Sequence, residues 1–136
     1  MRAWLLGACL AGAMAVPPAP KTPRNTQVQA ARQFLAAALR GDTIAAKQWL
    51  STNLRASDVR HVLSALSDAG RRRGASIELY QLGFLMGDDS AQPFVAYAWA
   101  ADSAVARPLR ASIQVVFRDT AARQVWEVYV REIKQK

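Results

Sequence analysis

Between residues 26 and 51 the chain reads TQVQAARQFLAAALRGDTIAAKQWLS, and its apolar positions follow a helical period. Val28, Ala31, Leu35, Ala38 and Leu39 fall at i, i+3, i+7, i+10 and i+11, one stripe along a first helix. Phe34 widens that stripe, while Gln29, Arg32, Gln33 and Arg40 fall largely outside it. Gly41 suits a left-handed residue that ends the helix, since it has no Cβ to clash. Asp42 then caps a second short helix by accepting from its free backbone N–H groups. Ile44, Ala45 and Trp49 continue the apolar surface around the corner.

A third helix follows. Ser57 is positioned to cap it, Asp58 suits the positive end of the helix dipole, and Val59, Val62, Leu63 and Leu66 give the apolar stripe. Gly70 is the expected terminator, with Arg71, Arg72 and Arg73 following the negative end.

From Ser76 the pattern becomes that of strands. Residues 77–86, 94–100, 109–117 and 125–133 read as strands separated by the turn signals Gly87-Asp88-Asp89-Ser90 and 119–122 and by a connection at 102–106. Connections this short require antiparallel neighbours, so the four strands form a meander. In the third strand Leu109, Ala111, Ile113, Val115 and Phe117 alternate with Arg110, Ser112, Gln114, Val116 and Arg118, a core face against a wetter one. The first strand is apolar on both faces, with Leu79 and Leu85 opposite Tyr80, Leu82, Phe84 and Met86. The last sets Trp126, Val128 and Val130 opposite Val125, Tyr129 and Ile133. Apolar residues on both faces of an antiparallel sheet imply helices on one side and a partner or ligand on the other, and a homodimer through the sheet is expected. The expected class is α+β: three N-terminal helices packed on a four-stranded antiparallel sheet, in one domain spanning residues 26–136.

Residues 1–15, MRAWLLGACLAGAMA, have the form of a secretory signal peptide: an early positive charge, an apolar run, and Ala13-Met14-Ala15 as the cleavage site. A periplasmic or secreted protein is the expectation. Leu6-Gly7-Ala8-Cys9 also resembles a bacterial lipobox, so a membrane association is expected only if Cys9 is lipidated. Cys9 is the sole cysteine, and its loss with the signal leaves the mature chain without thiol or disulfide chemistry. Residues 16–25 carry four of the six prolines and read as an extended linker.

The 136 residues are 51% hydrophobic and 21% charged, which suits a globular chain. The net charge of +8, or +7 once Arg2 departs with the signal, favours anionic surroundings without choosing among them. Arg71, Arg72 and Arg73 are the candidate anion-binding residues, because guanidinium groups present fixed forks of donors. A polyanion such as nucleic acid is one conceivable partner of that run, but an export signal removes intracellular nucleic acid from the expected partners. His61, the single histidine, lies off the apolar stripe near Asp58 and fits a surface position beside an acid. The sequence offers no metal-spaced cluster, phosphate-cradling glycine loop or nucleophile elbow, and no cofactor or metal is expected.

An apolar first helix (Ala31, Phe34, Leu35), the Gly41-Asp42 break, a second helix containing Ala46, and Leu50-Ser51, followed by antiparallel strands, resemble the nuclear transport factor 2-like superfamily, with small exported bacterial members of unknown function the most similar. The resemblance covers residues 26–133 and implies a cystatin-like α+β cone with a curved sheet. The superfamily includes isomerases, cyclases, dehydratases, dimerisation modules and ligand-binding domains, so fold alone does not set the chemistry. No isomerase residues map onto this chain, and the dehydratase histidine–aspartate dyad has no counterpart at His61.

The leading expectation is a non-enzymatic exported binding domain whose cone holds an apolar small ligand or an envelope protein, with Phe34, Tyr97 and Trp99 as candidate pocket walls. The alternative is an isomerase- or cyclase-type enzyme using Glu127 or Glu78 as base, since Glu78 and Tyr80 share a strand face, as do Glu127 and Tyr129.

Overall fold

The computed structural model describes residues 25–87, 91–103 and 109–133. The signal peptide, the lipobox and nearly all of the proline-rich linker lie outside them. In chain order the elements are α1 (Asn25–Leu39), α2 (Thr43–Lys47), α3 (Ala56–Arg73), β1 (Ile77–Met86), β2 (Ala91–Trp99), α4 (Ala100–Ser103), β3 (Ala111–Phe117) and β4 (Val125–Glu132). The class is α+β. The sheet is a four-stranded antiparallel meander in the order β1-β2-β3-β4, as the short connections imply.

Each helix boundary has a local cause. At Gly41 the backbone turns with φ +81°, and the Asp42 carboxylate accepts from the Ala45 N–H at 3.1 Å to start α2. The expected cap at Ser57 is not used: α3 starts at Ala56 behind Arg55, and Ser57 lies inside its first turn. Nor does Gly70 stop the helix. α3 continues through it to Arg73 and ends at Gly74, where φ is +89°. Gly70 serves packing instead, since a Cβ there would stand 1.8 Å from the Leu39 carbonyl oxygen. Its missing side chain lets α3 cross the end of α1 in contact. The arginine run consequently forms the last turn of α3 rather than following it.

Residues 100–103, expected as the end of the second strand and the start of the connection, form a helical turn, so the described residues contain four helices rather than three. Ala100 donates to the Ser76 carbonyl at 3.0 Å and Asp102 pairs with Arg73, which ties that turn to the end of α3.

The strands also differ in detail, with β3 starting at Ala111 rather than Leu109. β2 begins at Ala91, before Pro93, rather than at Phe94. Its pairing with β3 runs over Phe94–Ala98, so Pro93, which has no N–H to give, sits where β2 pairs with β1 alone. In β4 a register shift opposite Val116 and Phe117 changes the phase of alternation. Val125 therefore joins Val128 and Val130 on the helix side, whereas strict alternation would separate them.

The core lies between the helices and the inner sheet face. Phe34, Leu35, Leu66, Val95, Tyr97, Ile113, Val115, Phe117 and Val125 are closed to solvent there, each contributing about 1.5–3 kcal/mol of burial. Within α2 it is Ala46 that enters the core, while Ile44 is 78% exposed. Among the described residues Gln27 is the buried polar one: its Nε2 donates to the carbonyls of Asp119 at 2.9 Å and Ala122 at 2.8 Å, which fastens the β3–β4 turn to α1.

The outer sheet face carries a smaller apolar cluster of Phe94, Ala96 and Val116, with Leu85 against it. At the sheet margins Tyr80 and Met86 are exposed.

Candidate ligand-binding groove

After α2 the chain is stitched to the sheet. Val125 donates to the Trp49 carbonyl at 2.7 Å, and Ser51 donates to the Val125 carbonyl at 2.9 Å, closing a parallel bridge between Leu50 and Val125. This pulls the α2–α3 connection onto the start of β4 and away from the facing side of α3. The gap left is an open groove of about 930 Å³.

One wall is a single stripe of α3. Ala56, Val59, Arg60, Leu63, Ser64, Ser67, Asp68 and Arg71 recur at helical spacing, over a length of about 22 Å at 1.5 Å per residue. Thr43, Ile44 and Lys47 of α2, then Leu50, Ser51, Thr52 and Leu54, form the other wall. Leu50, Leu54, Val59 and Leu63 make an apolar floor, with hydroxyls and charges along the rim. Arg71 pairs with Asp68 at the polar end. A concave site with apolar walls and a few polar groups is the usual form of a small-molecule site. A second hollow of about 280 Å³ lies by the β3–β4 turn, where Arg118 stacks over Trp126 with Cζ 5.4 Å from the ring centroid.

Phe34, Tyr97 and Trp99 stand elsewhere. All three are sealed in the core, with exposures of 0%, 0% and 1%, and line neither hollow. Tyr97 donates from its hydroxyl to the Val28 carbonyl at 3.0 Å, and Trp99 donates from Nε1 to the Gly74 carbonyl at 2.9 Å. Burial raises the Tyr97 phenol above its ordinary value, and Arg32, 5.5 Å over the ring, acts in the opposite sense.

The three arginines diverge. Arg71 meets Asp68, Arg72 meets Glu132, and Arg73 pairs with Asp102 at 3.2 Å and with Glu132 at 3.8 Å. Each guanidinium has a carboxylate of its own chain, and Arg71 alone of the three borders the groove. The candidate bases are on the other side of the sheet: Glu78 is exposed, and Glu127 accepts from the Tyr129 hydroxyl on the face away from the helices. That hydrogen bond, then burial, raises the Tyr129 phenol. His61 is exposed on α3, and the described residues contain no group of three or more side chains suited to a metal.

The residues that line the groove carry only a faint signal in the sequence. Val59 and Leu63 read as ordinary core positions, and the clue was the run of small and hydroxyl residues at Ala56, Ser64 and Ser67 beside them. No protein-family model, curated protein or solved structure matches this chain.

Proposed function

We propose that this chain is an exported, non-enzymatic binding domain that holds an apolar small ligand in the groove between α2 and α3. The carrying observation is the apolar floor of Leu50, Leu54, Val59 and Leu63 inside a concavity of ligand size, with exposed Ile44 at its lip. Export is supported by the leader-like pattern of residues 1–15. Helices on one face of an antiparallel meander support a nuclear transport factor 2-like cone, and in this reading Phe34, Tyr97 and Trp99 fill the cone as core. Glu78 and Glu127 line neither hollow, so the enzymatic alternative draws less support from the geometry.

Two copies meet through the outer sheet face in the same proposal. One cross-strand row there runs Glu78, Ala98, Ser112, Arg131. A two-fold axis parallel to the strands, between β2 and β3, sets Glu78 of one copy opposite Arg131 of the other and brings the Phe94 and Val116 clusters together.

Native mass spectrometry of the protein taken from the exported fraction without delipidation tests both parts. A dimer carrying a small-molecule adduct is expected. A bare monomer that takes up no alkyl compound contradicts the reading.

A further inference from the structure

We infer that the groove ligand is an anionic amphiphile, an alkyl chain bearing a carboxylate or phosphate headgroup, an inference that rests on the groove being a ligand site. Gly41 lies against Ser67, and the chain must reach Ala56 at the start of α3 fifteen residues later. The α2 segment therefore runs antiparallel to α3, which brings Lys47 to about the level of Leu63. Arg60 flanks the same level from the α3 wall, one turn before Leu63. Cations thus border the apolar floor from both sides. Asp68, the one carboxylate among the lining residues, is held by Arg71 at the far end of the stripe.

The floor accounts for an alkyl chain and the two rim cations for a negative head. A neutral hydrocarbon would draw nothing from Lys47 and Arg60, which are exposed to water, and a cationic head would be repelled by both. A bare anion would leave Ile44, 78% exposed at the lip, in water. The charge balance of the chain, +8, has the same sign as the rim.

The test is calorimetric titration of the intact exported chain with dodecanoate, dodecyl phosphate, dodecanol, dodecyltrimethylammonium and inorganic phosphate, each below its micelle concentration. Both anionic chains are expected to bind at least tenfold tighter than dodecanol, the cationic chain most weakly, and inorganic phosphate not measurably. Each two-carbon extension should tighten binding by up to about tenfold. Lys47→Gln combined with Arg60→Gln should erase about tenfold of the anionic preference and leave dodecanol unchanged. Both side chains are exposed, so the thermal midpoint should hold. Ile44→Asp, also at an exposed site, should weaken the anionic chains further. Equal affinity for the anionic, neutral and cationic chains would overturn the headgroup inference and leave the groove standing. Inorganic phosphate binding as tightly as dodecyl phosphate would overturn the role of the alkyl chain. Failure of every alkyl probe, as expected if a protein segment occupies the groove, would overturn the ligand site itself.

Discussion

The guanidinium of Arg73 lies over the Trp99 indole, its Cζ 5.7 Å from the ring centroid, while its Nη1 donates to Asp102 at 3.2 Å. The last turn of α3 is thereby joined to the end of β2 and to α4. The side chain is three-quarters buried, and its Nε finds no hydrogen-bond partner among the described residues. Position in the structure, rather than position in the arginine run, sets what each arginine does. Arg73→Gln is expected to lower stability by about 2 kcal/mol, through the lost cation–π contact and a carboxylate left partly buried. Arg71→Gln removes an exposed pair and should cost under about 0.5 kcal/mol. Urea denaturation separates the two; equal losses would mean that burial does not decide.

Gln27 reaches from α1 to two carbonyls of the β3–β4 turn. Gln27→Ala should cost about 2 kcal/mol, because two acceptors lose a donor in a closed site. Amide exchange around Ala122 should quicken beyond what the global loss explains. If exchange there tracks global stability alone, the turn is held by something else.

Gly70→Ala should be among the most damaging single-methyl additions in the chain. The new carbon would collide with the Leu39 backbone, so α1 and α3 must separate, at a cost above about 3 kcal/mol. Gly74→Ala meets no neighbour and suffers from its backbone alone, φ 89° with ψ −178°, about 2 kcal/mol. Comparable midpoints for the two variants would contradict the close crossing.

Alkaline behaviour follows from Tyr97. Its phenol titrates above 10.0 in the folded chain because it is buried, and near 10.0 once unfolded. The folded state holds the proton longer, so this contribution is complete below about pH 10 and is lost as pH rises through the folded value. Tyr97→Phe gives up the hydrogen bond to Val28, about 1 kcal/mol, yet its stability should fall less steeply above pH 10. Identical slopes would assign the alkaline loss elsewhere, with Tyr129 the next candidate.

Periodicity made the helices, the meander and most of the core legible. The stripe of Ala31, Leu35 and Ala38 needed no tertiary information, and Gly41-Asp42 announced its own conformation. Failures arose where a residue has more than one use. Gly70 has the composition of a helix stop but serves a helix crossing, and Pro93 looks like a strand breaker but lies beyond the reach of β3. The bulge near Val125 moves that residue to the face of Val128 and Val130, which alternation alone does not reveal. The groove was illegible because it depends on a long-range tie, Leu50 to Val125, that opens space between two segments close in sequence.

Methyl and indole chemical-shift mapping during titration with dodecanol tests the central claim most directly, since a neutral chain reports the groove independently of any headgroup. The account predicts saturable shifts at Ile44, Leu50, Leu54, Val59 and Leu63, with Trp99 and the Tyr97 ring unchanged. Shifts centred on Phe34, Tyr97 and Trp99, or none at all, would contradict it.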